Sequence, residues 1–243
     1  MTRVLLLAGT TEARELAALF SAAGISVVAS LSGATESPVP LDVPTRVGGF
    51  GGAAGFVDYL RSERISAVVD ATHPFARAIT DRTAAVCKDL GMRHLILQRP
   101  EWRAGPGDVW HDFDAPADLE RLIPPAATVF LATGRQTIPD FARMPGGRIL
   151  VRVIDASTDP LPDPRWEYII ARPPFPAAQE QRLFADLGVD WLVTKNAGGA
   201  ATAGKLSAAR ALGLPVAIQR RPPVPRAPLC RTPAEALSWV RGA

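Results

Sequence analysis

The chain has 243 residues, 47% hydrophobic and 21% charged, which is enough to pack one large domain or two of ~100–150 residues each and excludes a disordered chain. The formal charge of +3 comes with no basic run interleaved with aromatics, so nucleic-acid binding is not indicated. No apolar run nears the ~20 residues of a membrane span. Residues 4–8 are too short for a secretory leader before Glu12, Arg14 and Glu15. Cys87 and Cys230 make neither a disulfide framework nor a metal motif, and a cytoplasmic setting is expected. Of the 27 basic residues only Lys88, Lys195 and Lys205 are lysines, leaving 24 arginines. Arginine suits carboxylate and phosphate recognition; a GC-rich genome gives the same excess.

In chain order, residues 3–8 are a continuous apolar run, as in a parallel strand buried on both faces. Ala13, Leu16, Ala17 and Phe20 then fall on one helix face, with Gly24 as its stop. Residues 25–31 read as a strand, 37–44 as a proline-rich loop and 45–47 as a short strand. Ala53, Phe56, Val57 and Leu60 mark a second helix face. A strand at 65–69, a helix at 76–90 and a strand at 93–98 continue the alternation. From 99 to 125 the pattern lapses into prolines, glycines, Trp102 and Trp110, read as a crossover. Strands at 128–132, 148–153 and 168–171, a helix at 177–187, a strand at 191–194, a helix at 205–212 and a strand at 216–219 follow. Thr232 and Pro233 are N-cap and first residue of a terminal helix. The alternation predicts an α/β fold of two lobes, each with a mainly parallel sheet flanked by helices and a cleft between them. The predicted lobes are 1–99 for the nucleotide and 100–243 for the substrate, the latter including the crossover 100–125.

Open α/β sheets bind ligands beyond the carboxyl ends of their strands. Four stretches lie there: AGTTE at 8–12, SLSG at 30–33, DATHPFA at 70–76 and TKNAGG at 194–199. The first runs from strand straight into helix, which puts backbone N–H groups and the positive helix pole at Thr10, Thr11 and Glu12, behind Gly9. The threonine hydroxyls could stand in for missing glycines. Glu12 opposes a phosphate there, and as an acid in a first turn it complements the dipole instead. An NAD-specific fold places an acid ~20 residues beyond the phosphate loop. Here that place holds Ser32 and Gly33, which favours NADP if a dinucleotide binds at all. In DATHPFA, His73 is one of three histidines and could donate a proton to a ligand; equally, Asp70, Thr72 and His73 could satisfy a sharp turn. The histidines at 73, 94 and 111 form no metal-ligand spacing. Lys195 and Lys205 suit an acidic substrate, and the TGR of 133–135 places Arg135 at the corresponding rim. G-x-S-x-G, P-loop and Cys–His arrangements are absent, and Tyr59 and Tyr168 have Glu63 and Arg172 where a Tyr-x-x-x-Lys pair needs lysine.

Together, AGTTEARELA, DATHPFA and TKNAGG…KLSAARALGLPVAIQRRP resemble the precorrin-6A reductase family of cobalamin biosynthesis, over essentially the whole chain. The resemblance implies two Rossmann-like lobes and NADPH-dependent reduction of one double bond of the tetrapyrrole precorrin-6A, giving precorrin-6B. It implies cofactor contacts at Gly9, Thr10, Thr11, Glu12, Asp70, Ala71, Thr72 and Pro74, to which the loop reading adds Ser32 and Gly33. His73 is the candidate proton donor. Arg135, Lys195, Asn196, Gly198, Gly199 and Lys205 are expected on the substrate. Ala197, Ala200 and Ala201 stand where serine- or glycine-rich positions are expected, which removes any hydroxyl role there. A cobalt-precorrin-6A reductase and a non-catalytic NADP-sensing regulator are the competing expectations.

Overall fold

The computed structural model describes residues 2–33, 39–155 and 160–242; the first part of the loop expected at 37–44 lies outside them. Two compact units form, one from Met1–Pro100 with Pro222–Ala243, the other from Glu101–Arg221.

The first unit holds strands β1 (Arg3–Leu7), β2 (Ser26–Leu31), β3 (Thr45–Val47), β4 (Ala67–Asp70) and β5 (Arg93–Leu97) with helices α1 (Thr11–Ala22), α2 (Gly52–Ser62) and α3 (Arg77–Asp89). β1 is central, with Leu6 opposite Ala29 of β2 and Val69 of β4 in parallel register. Successive strand side chains point to opposite faces, so Val4 and Leu6 meet Leu16 and Phe20 of α1. Leu5 and Leu7 meet Phe56 and Leu60 of α2 and Cys87 of α3. That two-sided burial is why β1 reads as an unbroken apolar run.

The second unit holds β6 (Val109–Phe113), β7 (Thr128–Ala132), β8 (Arg148–Val153), β9 (Trp166–Ile170), α4 (Ala177–Asp186), β10 (Trp191–Lys195), α5 (Gly204–Leu212) and β11 (Pro215–Gln219). Two 3₁₀ turns, Pro116–Arg121 and Arg135–Phe141, cover one sheet face through Leu119, Ile138 and Phe141. α4 and α5 cover the other through Phe184, Leu206 and Ala209.

With β12 (Leu229–Cys230) included, both sheets are six-stranded and parallel, in the orders β12-β5-β4-β1-β2-β3 and β6-β11-β10-β7-β8-β9. Each is a doubly wound arrangement with its switch between β1 and β4, or between β7 and β10. The outermost strands are exchanged. β6 follows β5 in the chain but pairs with β11, while β12 (Leu229–Cys230) follows β11 but pairs with β5. The terminal helix α6 (Pro233–Arg241) then puts Ala236 and Val240 into the core that α1 faces. The two units part after residue 100, and residues 222–243 belong to the first unit and not to the second. The interval 100–125 is also not structureless. Only Phe113 of the five residues of β6 is buried, so this edge strand carries no readable period.

Candidate functional site

At the first switch point, the loops after β1 and β4 are tied together by Thr10. Its Oγ1 caps α1 by accepting from the Ala13 N–H at 3.1 Å and donates to the Ala71 carbonyl at 2.8 Å. The hydroxyl proton is thereby used within the chain. Among the described residues, the N–H groups of residues 9–12 make no hydrogen bond, and they lie at the positive end of α1. Gly9 has φ +139°, and a Cβ there would meet nothing within 4 Å. Backbone conformation, not space, selects the glycine. Thr11 is exposed. Glu12 is ion-paired with Arg99, Oε2 to Nη1 at 2.5 Å, with both side chains largely buried. A phosphate would thus meet a neutralised pair and not a bare carboxylate.

Beyond β2, Ser32 and Gly33 are exposed, and Gly33 has φ +82°. Beside them lies a residue that the motifs did not reveal, Arg46 of β3. Its Nη1 donates to Ser30 Oγ at 2.7 Å and to the Gly48 carbonyl at 2.8 Å, and Nη2 donates to the Gly49 carbonyl at 2.8 Å. The guanidinium lies 4.1 Å from the Phe50 ring centre. A charge held by carbonyls, a hydroxyl and rings keeps its full positive field. The signal available was an arginine on the strand beside an acid-free β2 end.

After β4, Asp70 is 1% exposed. Its Oδ1 accepts from the Thr72 N–H at 3.0 Å and the Thr72 hydroxyl at 2.7 Å, while Oδ2 is buried without a hydrogen bond among the described residues. Asp70 and Thr72 therefore do serve the turn. His73 Nδ1 accepts from the Phe75 N–H at 3.2 Å, which assigns the proton of the neutral ring to Nε2. Asp70, Thr72, His73 and Pro74 line a small open pocket of about 20 Å³ together with Gln98 and the return segment at Pro222. Burial, and secondarily Asp70, pushes the Cys87 thiol up to about 12, and burial pushes that of Cys230 up to about 11. Neither thiol is a nucleophile at neutral pH.

At the second switch point, half-buried Arg135 follows Gly134, whose φ is +90°. Lys195 ends β10, where burial lowers its pKa against the opposing charge of Asp140. Asn196 is turned inward. Its Oδ1 accepts from the Trp102 N–H at 2.9 Å and its Nδ2 donates to the Trp102 carbonyl at 3.1 Å. Gly198 and Gly199 have φ +69° and +77°, and the Gly199 carbonyl accepts from Trp102 Nε1 at 2.8 Å. Lys205 is 6% exposed, donates to the Thr202 carbonyl at 2.9 Å and lies 4.8 Å from the Trp102 ring centre. Asn196 and Lys205, expected on the substrate, also contact Trp102, a pairing that the motif did not reveal. The physical reason is distance in the chain: Trp102 and Asn196 are 94 positions apart, and no local pattern pairs them.

The chain matches the family model described as precorrin-6x reductase CbiJ/CobK over residues 3–241. It is 43% identical over 241 residues to the precorrin-6A reductase of Rhodobacter capsulatus, covering 99% of this chain and 96% of that one. A solved structure of CobK precorrin-6A reductase superposes with a TM-score of 0.94 at 42% identity, covering 100% of this chain and 97% of that one. The cobalt-precorrin-6A reductase of Priestia megaterium is 24% identical, with 91% of each chain covered.

Proposed function

The chain belongs to the precorrin-6x reductase family, and from that premise we propose that it reduces precorrin-6A to precorrin-6B with NADPH, in the cytoplasm. It is an oxidoreductase acting on a tetrapyrrole. The observation that carries the choice of substrate is the full-length identity of 43% to a precorrin-6A reductase, against 24% to the cobalt-precorrin enzyme. A non-catalytic regulator has no such support.

The first unit fits the cofactor. The free N–H groups of residues 9–12 suit the pyrophosphate, and the Glu12–Arg99 pair removes the repulsion a lone carboxylate would bring. An end of β2 without a carboxylate, with Arg46 beside it, suits a 2′-phosphate. The nicotinamide, when bound, supplies hydride. Asp70 and Thr72 hold the DATHPFA turn in shape, and His73, with its proton on Nε2, is the proposed donor of the accompanying proton. Arg135 and Lys195 in the second unit supply cations for substrate carboxylates.

Incubating the purified protein with precorrin-6A and NADPH tests this. Coupled loss of nicotinamide and chromophore absorbance is expected, with cobalt-precorrin-6A turned over more slowly; no absorbance change with precorrin-6A overturns it. His73→Ala is expected to slow single-turnover reduction, and full retention at every pH removes His73 from the proton step.

A further inference from the structure

We propose that Arg99 is a phosphate-binding residue of the cofactor site and that Glu12 is the carboxylate that positions it. The guanidinium then meets the pyrophosphate of the dinucleotide together with the N–H groups at the start of α1. The inference rests on the NADPH reading above and adds a side-chain contact to it.

The sheet order places the pair. β4 lies between β5 and β1, and the three strands run parallel. Arg99 stands two residues past the end of β5, and Glu12 lies in the first turn of the helix that follows β1. Their bond of 2.5 Å therefore bridges the carboxyl end of β4, beside the switch point where the strand order turns. Thr10 ties the loops after β1 and β4 together, its hydroxyl donating to the Ala71 carbonyl at 2.8 Å. The backbone ahead of Arg99 is fixed as well, because the Gln98 N–H donates to the Cys230 carbonyl at 3.0 Å. The guanidinium is thus held on a rim next to the N–H groups of residues 9–12, which make no hydrogen bond among the described residues.

Stability gives little reason for the pair. Thr10 already caps α1, and an acid in a first turn complements the helix dipole from solvent without a partner. Here Glu12 is only 19% exposed and Arg99 only 13%. Withdrawing both charges from water costs about what their attraction returns, so such a pair is weak support for a fold. What it does supply is geometry. A long arginine side chain has many rotamers, and a carboxylate on α1 selects the one that crosses the rim. From a distance the pair is neutral. At contact, a guanidinium donates to phosphate oxygens in a fork that matches them.

The test removes both charges together, so that the net charge of the site is unchanged. Wild type and Glu12→Gln/Arg99→Met are titrated with NADP⁺ and with adenosine 2′-monophosphate, which carries the 2′-phosphate but lacks the pyrophosphate. Loss of a charge-assisted contact weakens NADP⁺ binding about 10–100-fold, while binding of adenosine 2′-monophosphate is unchanged. If Arg99 only neutralises Glu12, deleting the pair leaves NADP⁺ affinity at the wild-type value, and that result overturns the proposal. Equal weakening of both ligands overturns it too, since a disturbed fold and not a pyrophosphate contact then accounts for the loss. Should thermal unfolding show that the variant misfolds, Glu12→Leu/Arg99→Leu, an apolar pair across the same gap, takes its place with the same expectations. A wild type that does not bind NADP⁺ overturns the cofactor reading itself, and the role of Arg99 with it.

Discussion

Arg46 and Glu12 carry like roles in opposite sign at the edge where NADPH is proposed to lie. Glu12 would repel a phosphate, and Arg99 at 2.5 Å cancels that field. Arg46 adds a field of its own, because its partners are neutral oxygens and rings and not carboxylates. Arg46→Ala is therefore expected to raise KM for NADPH about 10–100-fold, the worth of a hydrogen bond to a charged group, with a smaller effect on KM for NADH. Equal effects on the two cofactors would remove Arg46 from the 2′-phosphate.

His94 of β5 is a second residue-scale case. Its Nε2 is buried without a hydrogen bond among the described residues, and burial lowers its pKa below the usual 6.5, opposed by the charge of Asp70. Below pH 6.5 the unfolded chain takes up a proton that the folded chain resists. Stability is accordingly full above 6.5 and falls as pH drops toward the lowered folded value. Denaturant unfolding at pH 7.5 and 5.5 should show a larger loss for wild type than for His94→Gln; equal losses would contradict it.

At the scale of elements, legibility followed burial. Ala13, Leu16, Ala17 and Phe20 were readable as the inner face of α1, and all four are fully buried. The Thr232 cap was readable too, and its Oγ1 accepts from the Glu235 N–H at 3.3 Å. β6 and β12 were not, one being an edge strand with a single buried residue and the other only two residues long. The glycine before Lys205 shows a constraint that spacing does not reveal. A Cβ on Gly204 would stand 2.0 Å from the Phe175 carbonyl oxygen, so the start of α5 can approach that backbone only without a side chain. Gly204→Ala should cost about 1–3 kcal/mol or more by overpacking, read as a lower denaturant midpoint with unchanged slope. A midpoint equal to wild type would show that the contact relaxes freely.

At the scale of the molecule, the exchanged outer strands make the first unit discontinuous in sequence and the second continuous. Residues 101–221 carry all six strands of their sheet. Residues 1–100 lack β12 and α6, whose Cys230, Ala236 and Val240 complete the core that α1 faces. A fragment of 101–221 should unfold cooperatively alone. Residues 1–100 should be unfolded or molten until a peptide of 222–243 is added, then gain structure and bind NADPH. Cooperative folding of 1–100 without the peptide would refute the dependence.

The sequence by itself determined what short spacing controls: parallel strands buried on both faces, the helices between them, the four strand-end loops and the family. Each depends on residues within a few turns of one another or on contiguous motifs. Tertiary structure alone decided where side chains spend their polar atoms and which sheet takes the sixth strand. Glu12 meets Arg99 across 87 positions and Asn196 meets Trp102 across 94. Such pairings follow from the sheet order that brings strand ends together, and no local periodicity encodes that order. For the same reason the KN-x-GG…K block was legible as a motif, whereas its contact with Trp102 was not.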